Sequence, residues 1–245
     1  MNNPYLDLDH TNKEYDLYAL GKYRITLNLL RGYESLAGST GRRLILNIGC
    51  GGGYFNRMAI EHGYRVAACE PDLFAFNLAN SNPHPDLEMF HGELNAVSLP
   101  TKPDIIVMHD VLEHIDAEDS ILREISQMLS PEGQFILSVP AIDRLFGQHD
   151  IQAGHFRRYN KMTIRRVLMR HFDIDSIRYY GFFGIPATFY FSRLTRKDYP
   201  ALKADTPTFL SKCLKVVVAI ESKIALPLGT SLIVVATPKK KVESS

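Results

Sequence analysis

Short apolar runs alternate with amphipathic stretches along most of the chain. Runs rich in apolar residues, typical of buried strands, lie at 44–48, 65–70, 87–91, 104–108, 134–140 and 231–236. Between them, apolar residues at three- and four-residue steps predict helices at 15–33, 54–62 and 73–81, and at 116–129 behind an N-cap at Asp116. Because strands and helices alternate, the pattern predicts a parallel sheet with right-handed crossovers, whose ligands bind at the carboxyl ends of the strands.

The pattern changes after Pro140. Residues 141–158 are predicted to form a loop, and Asn160 to cap a helix that extends to Phe172. A strand at 173–179 and helices at 181–193 and 207–226 follow. We therefore expect one domain over 1–245, made of an N-terminal helical segment at 1–40, a cofactor-binding core at 41–140, a cover over the carboxyl edge of the sheet at 141–228 and a last strand at 229–237.

A glycine-rich turn joins the first predicted strand to the helix after it. Gly49, Gly51 and Gly53 form a G-x-G-x-G pattern. Glycines let a ligand approach the backbone, and the N–H groups of the first helical turn point into the same space. The dinucleotide pattern G-x-G-x-x-G would need glycine at position 54, where the chain has Tyr54. The turn therefore predicts a nucleotide-binding loop of a related kind.

An acidic residue ends the second predicted strand. Glu70 lies 21 residues after Gly49, close to the spacing at which an acid binds ribose hydroxyls in doubly wound nucleotide folds. A carboxylate has two acceptor oxygens, which suit a vicinal diol. The alternative is a solvated acid at the end of a strand, before Pro71. The glycine turn at the right distance favours the ribose interpretation.

Composition excludes several classes of function. The hydrophobic fraction of 45% fits a globular core, and a net charge of +1 gives no electrostatic basis for nucleic-acid binding. The three cysteines, Cys50, Cys69 and Cys213, form no C-x-x-C pair, so reduced thiols in a cytoplasmic protein are expected and a zinc ribbon is excluded. We also expect neither a signal peptide nor a membrane-spanning helix.

Four stretches together resemble the class I S-adenosylmethionine-dependent methyltransferases, in particular the ubiquinone-biosynthesis-like (methyltransferase-domain 23 type) branch. They are the glycine turn at 46–53, Glu70-Pro71-Asp72, the sequence H-D-V-L-E-H-I at 109–115 and L-S-P-E-G-Q-F at 129–135. The resemblance implies an α/β fold with a Rossmann-like, doubly wound, seven-stranded and mostly parallel sheet. It also implies S-adenosylmethionine as the cofactor and S-adenosylhomocysteine as its product.

The resemblance assigns the cofactor site residue by residue. The glycine turn would hold the methionine part of the cofactor, the end of the second strand would hold the ribose, and the segment after Gly92 would border the adenine. The cofactor-binding residues expected from the resemblance are Asn47, Gly49, Cys50, Gly51, Gly53, Glu70, Pro71, Glu93, Leu94 and His109. Asn47 departs from the family pattern, which has an acid there. An amide still accepts a hydrogen bond but carries no charge, so this position weakens the expectation of tight binding.

Three residues after the fourth strand are candidates for catalysis. His109 and Asp110 are expected beside the transferred methyl group, and His114 is a second candidate base. The alternative for His114 is a buried histidine with a structural hydrogen bond. Asp110, Glu113 and His114 also have the D-x-x-E-H spacing that resembles the divalent-metal site of some related methyltransferases, although those have Glu first. We expect no metal, and keep this set as an alternative.

A polar cluster after the fifth strand is the candidate acceptor site. His155, Arg157, Arg158 and Tyr159 belong to a G-H-x-R-R-Y stretch that resembles one in bacterial methyltransferases. Guanidinium groups bind carboxylates and phosphates in a bidentate manner. In the alternative interpretation the arginines pair with Asp143, Asp150 or a helix end and only shape the loop.

An aromatic stretch at 181–191 admits three interpretations: core or a homodimer contact, a lid over an apolar acceptor, or peripheral contact with a membrane. We expect O-methylation of a small-molecule, glycan or lipid-linked acceptor and no nucleic-acid partner. Two alternatives remain at this point. One is a non-catalytic protein that binds S-adenosylmethionine or a nucleotide for a partner enzyme, and the other is an NAD-dependent oxidoreductase, which Tyr54 argues against.

Overall fold

The computed structural model describes residues 17–37, 42–195 and 209–240. The helices are α1 (Leu17–Ala37), α2 (Tyr54–Glu61), α3 (Leu73–Asn80), α4 (Glu118–Met128), α5 (Gln148–Gln152), α6 (Lys161–Leu168), α7 (Ile185–Phe189) and α8 (Phe209–Glu221). The strands are β1 (Leu44–Ile48), β2 (Arg65–Glu70), β3 (Leu87–His91), β4 (Ile105–His109), β5 (Gln134–Pro140), β6 (Phe172–Tyr180) and β7 (Ser231–Pro238). None of the described helices is long and apolar enough to cross a lipid bilayer.

The strands form one seven-stranded sheet in the order β3-β2-β1-β4-β5-β7-β6. The first five strands along the chain pair in parallel, and β7 runs antiparallel between β5 and β6. The order reverses at β1 and β4, so the carboxyl ends of these strands flank the crevice where doubly wound sheets bind ligands. This topology confirms the predicted mostly parallel, Rossmann-like sheet.

Apolar side chains pack on both faces of the sheet. On one face α4 and α6 cover residues such as Leu46, Ile106 and Leu137, and on the other α1 and α2 cover Ile45 and Val107. Every residue of β1 and β5 is buried, as expected for strands covered on both faces. The core therefore fixes the ends of β1, β2 and β4 rigidly relative to one another.

Two helix boundaries differ from the prediction. The helix predicted behind Asp116 begins at Glu118 after Ala117, and no side chain caps it; the Asp116 carboxylate instead accepts a hydrogen bond from Arg157 at 3.1 Å. The helix capped by Asn160, whose side chain accepts from the N–H groups of Met162 and Thr163, ends at Leu168. Phe172, predicted to lie in that helix, is therefore the first residue of β6.

The region after β5 contains more helix than predicted. A short 3₁₀ turn at Asp143–Leu145 and α5 interrupt the expected loop at 141–158. The helix predicted at 181–193 is shorter, with α7 followed by a π-helical turn at Tyr190–Thr195. The helix predicted at 207–226 is observed as α8, which ends at Glu221, five residues before the predicted end. The N-terminal part of the first predicted helix lies outside the described residues.

Candidate active site

The glycine turn lies at the carboxyl end of β1 and leads into α2. Gly49 and Gly51 both have positive φ angles, of +67° and +55°. A Cβ at Gly49 would lie 2.6 Å from Cγ2 of Val111, so the turn packs against the segment after β4. A Cβ at Gly51 would meet no atom within 4 Å, because this part of the turn faces open space. A ligand can therefore approach the backbone at Gly51.

Glu70 is fixed beside this turn. Its carboxylate accepts hydrogen bonds from the N–H groups of Gly51, at 2.7 Å, and of Asp72, at 3.0 Å. Asp72 in turn caps α3 by accepting from the Ala75 N–H at 2.8 Å. Glu70 is buried, with 6% of its surface exposed, so the alternative of a solvated strand-end acid is wrong. The carboxylate has a defined position next to the open side of the turn.

Asn47 is the next-to-last residue of β1 and is buried. Its amide nitrogen donates to Oδ1 of Asn56, on α2, at 2.7 Å. A neutral amide, paired with the second amide of Asn56, thus occupies the position where the family pattern has an acid. The pair links the strand before the glycine turn to the helix after it, which holds both ends of the turn.

A cavity of about 1110 Å³ opens at the carboxyl edge of the sheet. Most of the predicted cofactor residues line it, namely Asn47, Gly49, Cys50, Gly51, Glu70, Pro71, Glu93, Leu94 and His109. Gly53 does not, because it lies behind the turn against Ala79, which a Cβ at Gly53 would approach to 2.9 Å. Because Gly53 has no side chain, the start of α2 can pack closely against α3.

His109 faces a mainly aromatic environment. Its ring centroid lies 5.0 Å from those of Tyr23 and Phe55, and Nε2 is 2.9 Å from Oγ1 of Thr26. Burial lowers the pKa of His109 to about 3. The charge of Asp110 raises this pKa, and the charge of Lys22 lowers it further. The imidazole is therefore neutral at pH 7 and a poor proton acceptor. His109 is better suited to shape the cavity wall than to act as a general base.

Asp110 has a positive φ of 52°, which turns the chain sharply after β4. Its carboxylate forms an ion pair with Lys22 of α1 and accepts a hydrogen bond from Oγ of Ser138 at 3.1 Å. Lys22 lines the cavity and was not predicted as a site residue, because a lysine on an amphipathic helix carries no local signal of such a partner. The N-terminal helix is thereby tied to the end of β4.

Asp150 and His155 form a buried hydrogen-bonded pair on the far wall of the cavity. Asp150, fully buried, accepts from Nδ1 of His155 at 2.9 Å, from Nε of Arg158 at 2.7 Å and from the Gly147 N–H at 2.9 Å. Burial alone would raise the pKa of Asp150, but the hydrogen bonds from His155 and Arg158 and the charge of Arg158 hold it at about 2. The ionised carboxylate therefore fixes the proton of His155 on Nδ1.

The other ring nitrogen of His155 points toward Glu113 and His114. Its Nε2 lies 3.9 Å from Oε1 of Glu113, and the rings of His155 and His114 pack edge to face at 4.6 Å. One ligand atom from each of these three residues lies within 4.8 Å of the others, close enough to hold a metal ion. Asp110 is not part of this group, so the predicted set of Asp110, Glu113 and His114 changes to Glu113, His114 and His155.

The two arginines of the candidate acceptor cluster have acidic partners. Arg158 pairs with Asp150, one of the partners considered from sequence. Arg157 contacts the carboxylates of Asp116, at 3.1 Å, and Glu118, at 2.9 Å. Tyr159 is buried and donates to Glu118 at 2.8 Å. His155 and Arg158 line the cavity, whereas Arg157 does not and Tyr159 belongs to the hydrophobic core.

Known proteins resemble this chain in sequence. Residues 23–178 match a family model described as methyltransferase domain. A mitochondrial ubiquinone biosynthesis O-methyltransferase of Schizosaccharomyces pombe is 31% identical over 100 residues, which is 38% of this chain and 36% of the relative. The ubiquinone biosynthesis O-methyltransferase of an Azoarcus species is 25% identical over 119 residues, 46% of this chain and 49% of the relative. The chain thus spans about half or less of the length of these relatives.

Solved structures share the fold. An S-adenosylmethionine-dependent methyltransferase from Mesorhizobium loti matches 84% of this chain and 96% of its own, with a TM-score of 0.57 and 18% identity. Phosphoethanolamine N-methyltransferase 2 of Haemonchus contortus, solved with S-adenosyl-L-methionine, matches 86% of this chain and 52% of its own, with a TM-score of 0.58 and 15% identity. Because the family model covers more than half of the chain, the chain belongs to the methyltransferase-domain family and has the fold of the class I S-adenosylmethionine-dependent methyltransferases.

Proposed function

We propose that this protein transfers the methyl group of S-adenosylmethionine to a hydroxyl oxygen of a small-molecule, glycan or lipid-linked acceptor. The observation that carries the proposal is a cavity that is lined by the glycine turn and Glu70 on one side and, on the other, by His155, which Asp150 holds from behind. The O-methyltransferases among the relatives support oxygen as the atom attacked.

The residues present fit the cofactor. At Gly51 a ligand can approach the backbone. Glu70 supplies a buried carboxylate for the ribose diol, and Glu93 and Leu94 border the space for the adenine. When bound, S-adenosylmethionine supplies a methyl group on a positively charged sulfur. The contribution of the protein is to hold the acceptor oxygen in line with that methyl group and to keep water out.

A hydroxyl acceptor must lose its proton as the new oxygen–carbon bond forms. His155 is the histidine best placed to accept it, since Asp150 keeps the proton on Nδ1 and leaves the Nε2 lone pair on the side of Glu113 and His114, which line the same cavity. The proton would pass to Nε2 while the carbon–sulfur bond breaks. His109, the base candidate at the end of β4, is disfavoured by its low pKa.

The first experiment is calorimetric titration with S-adenosylhomocysteine, with NADH as the control ligand. Micromolar binding of the first and none of the second is expected. The protein is then incubated with S-adenosylmethionine and a panel of phenols, sugars and polyprenyl lipids, and formation of S-adenosylhomocysteine is measured. Binding of NADH alone, or no turnover with any hydroxyl acceptor but turnover with amines, would contradict the proposal.

Glu70→Ala is expected to weaken S-adenosylhomocysteine binding about 30-fold. Hydrogen bonds to a charged group are worth about 1.5–3 kcal/mol, and about 1.4 kcal/mol corresponds to a tenfold change in affinity. Calorimetry measures the loss, and Glu61→Ala, on the exposed end of α2, is the matched control that should leave the affinity unchanged. Equal affinities for wild type and Glu70→Ala would mean that this carboxylate does not bind the ribose.

Glu113, His114 and His155 offer a second way to activate the acceptor. A carboxylate and two imidazoles suit Mg²⁺, Mn²⁺ or Zn²⁺, and such an ion would polarise the acceptor oxygen. We expect turnover to persist after exhaustive chelation, because the Asp150–His155 pair already provides a base. Loss of turnover that returns on addition of one of these ions would instead assign activation of the acceptor to a bound cation.

A further inference from the structure

Exposed apolar side chains concentrate in one part of the described chain. Of the fourteen large apolar residues that the structure leaves exposed, eight fall between 182 and 228. They are Phe182, Phe183, Phe189, Tyr190, Val216, Ile220, Ile224 and Leu228, and we call them the apolar ridge. Exposed apolar patches of this kind mark contacts with a protein, a ligand or a membrane.

Two segments carry this ridge, and hydrogen bonds join them. The carboxylate of Glu221, fully buried at the end of α8, accepts from the N–H groups of Gly181, at 3.2 Å, and Phe183, at 2.9 Å. Nη2 of Arg178 donates to the carbonyl oxygens of Glu221 at 3.1 Å and of Ile224 at 2.8 Å. The aromatic turn before α7 and the C-terminal end of α8 therefore form one fixed unit.

The outer side of α8 mixes apolar residues with lysines. Lys212, Val216 and Ile220 follow one another at four-residue steps along α8 and are exposed, as is Lys215. Lys223 and Ile224 are exposed just after the helix ends. The inner side holds Val218, which packs near Gly21 of α1. A stripe of apolar residues flanked by lysines is typical of a helix that lies in the interface of a membrane.

The charge of these segments is almost entirely positive. Within 181–195 and 209–228 the sequence has one acidic residue, Glu221, which is buried. The exposed charges described on α8 and just after it are Lys212, Lys215 and Lys223. A second copy of the chain packed here about a twofold axis would place these lysines against one another, which is unfavourable. Lipid phosphates complement them.

The same unit forms part of the wall of the cavity. Phe183 is 58% exposed and also lines the cavity, and Ala187, Thr188 and Phe191 line it from α7 and the turn that follows. A molecule that leaves a bilayer beneath the apolar ridge would therefore meet the cavity through an aromatic wall.

We propose that the apolar ridge and the lysines of α8 dock this protein on an anionic lipid bilayer, so that the cavity takes an amphiphilic acceptor from that bilayer. The docking stands on the surface alone, whereas the identity of the acceptor rests on the proposed methyl transfer. Docking is peripheral: apolar and aromatic side chains enter the boundary between headgroups and acyl chains, and the lysines neutralise phosphates.

The test is flotation of the full chain with vesicles of phosphatidylcholine alone or with about 30% phosphatidylglycerol. We expect at least tenfold stronger binding to the anionic vesicles, reduced in high salt. The triple variant Lys212→Glu, Lys215→Glu, Lys223→Glu should lose more than tenfold in binding. The matched control, Lys102→Glu, Arg123→Glu, Arg165→Glu, changes the net charge equally at exposed sites elsewhere and should lose much less.

A second pair of variants tests insertion. Val216→Ser with Ile220→Ser should weaken vesicle binding severalfold. Met162→Ser with Met169→Ser, at two exposed positions on and just after α6, should not. The affinity for S-adenosylhomocysteine is measured for every variant, to check that the protein is folded and that its cofactor site is intact. This affinity can be lost without loss of vesicle binding, so failure of the proposed function and failure of the docking proposal are distinguishable. No binding to anionic vesicles, binding insensitive to Val216 and Ile220, or a dimer that these two changes dissolve would overturn the proposal.

Discussion

Replacing His155 by glutamine is expected to lower kcat for a hydroxyl acceptor about 1,000-fold. A positioned base contributes about 10²–10⁴ to the rate, and glutamine keeps a side chain of similar size without a proton acceptor of comparable basicity. The affinity for S-adenosylhomocysteine should stay within about twofold of wild type, because His155 lies on the wall opposite Glu70. Single-turnover measurement of methyl transfer, with calorimetry of cofactor binding, separates the two effects.

His84→Gln is the control for this change, since His84 is exposed at the far end of the β2–β3 connection. Equal kcat values for variant and wild type would remove His155 from the mechanism.

Asp150→Asn is expected to cost about 3–5 kcal/mol of unfolding free energy, which corresponds to a 10²- to 10³-fold or larger shift of the folding equilibrium. The loss arises because the guanidinium of Arg158, 3% exposed, would keep its buried charge without a carboxylate partner. Urea unfolding followed by circular dichroism measures the change. Asp119→Asn removes an exposed partner of Arg170 and should leave the unfolding midpoint nearly unchanged.

The same carboxylate makes stability depend on pH. Asp150 has a pKa of about 2 in the folded protein, below the usual value of 3.8, so its contribution is fully present above about pH 4 and is lost as the pH falls through 2. Wild type should therefore lose about 2 kcal/mol more than Asp150→Asn between these limits. Parallel pH profiles of the two proteins would show that Asp150 is not the titrating group.

Local sequence signals predicted the fold and one wall of the site. The strands, the glycine turn and Glu70 follow from patterns within some 25 residues, and hydrophobic periodicity fixes which faces are buried. The helix predicted to extend to Phe172 ends early because β7 provides a hydrogen-bonding partner: Phe172 pairs with Pro238 across the sheet. That partner is far away in sequence and has no local signature.

The other wall of the site depends on tertiary contacts. Lys22 meets Asp110 across 88 residues. The ligand atoms of Glu113 and His155 approach each other because the chain after α5 returns to the turn after β4, where the Phe156 N–H donates to the Glu113 carbonyl at 2.8 Å. The spacing D-x-x-E-H placed Asp110 in a candidate metal set, yet a positive φ at Asp110 turns its carboxylate toward Lys22 instead. Sequence spacing assumes a regular backbone, and this residue departs from it.

The position of β7 has a consequence for the order in which the protein can fold during synthesis. In the described sheet β5 and β6 are both complete before β7 is translated, but β6 has no other partner and β5 keeps an open edge until residues 231–238 pair between them. A nascent chain that lacks this segment leaves the hydrogen-bonding edges of β5 and β6 unpaired, and unpaired strand edges promote aggregation. The yield of native protein should therefore depend on how well these edges are protected, for example by a chaperone, until residues 231–238 have been synthesised.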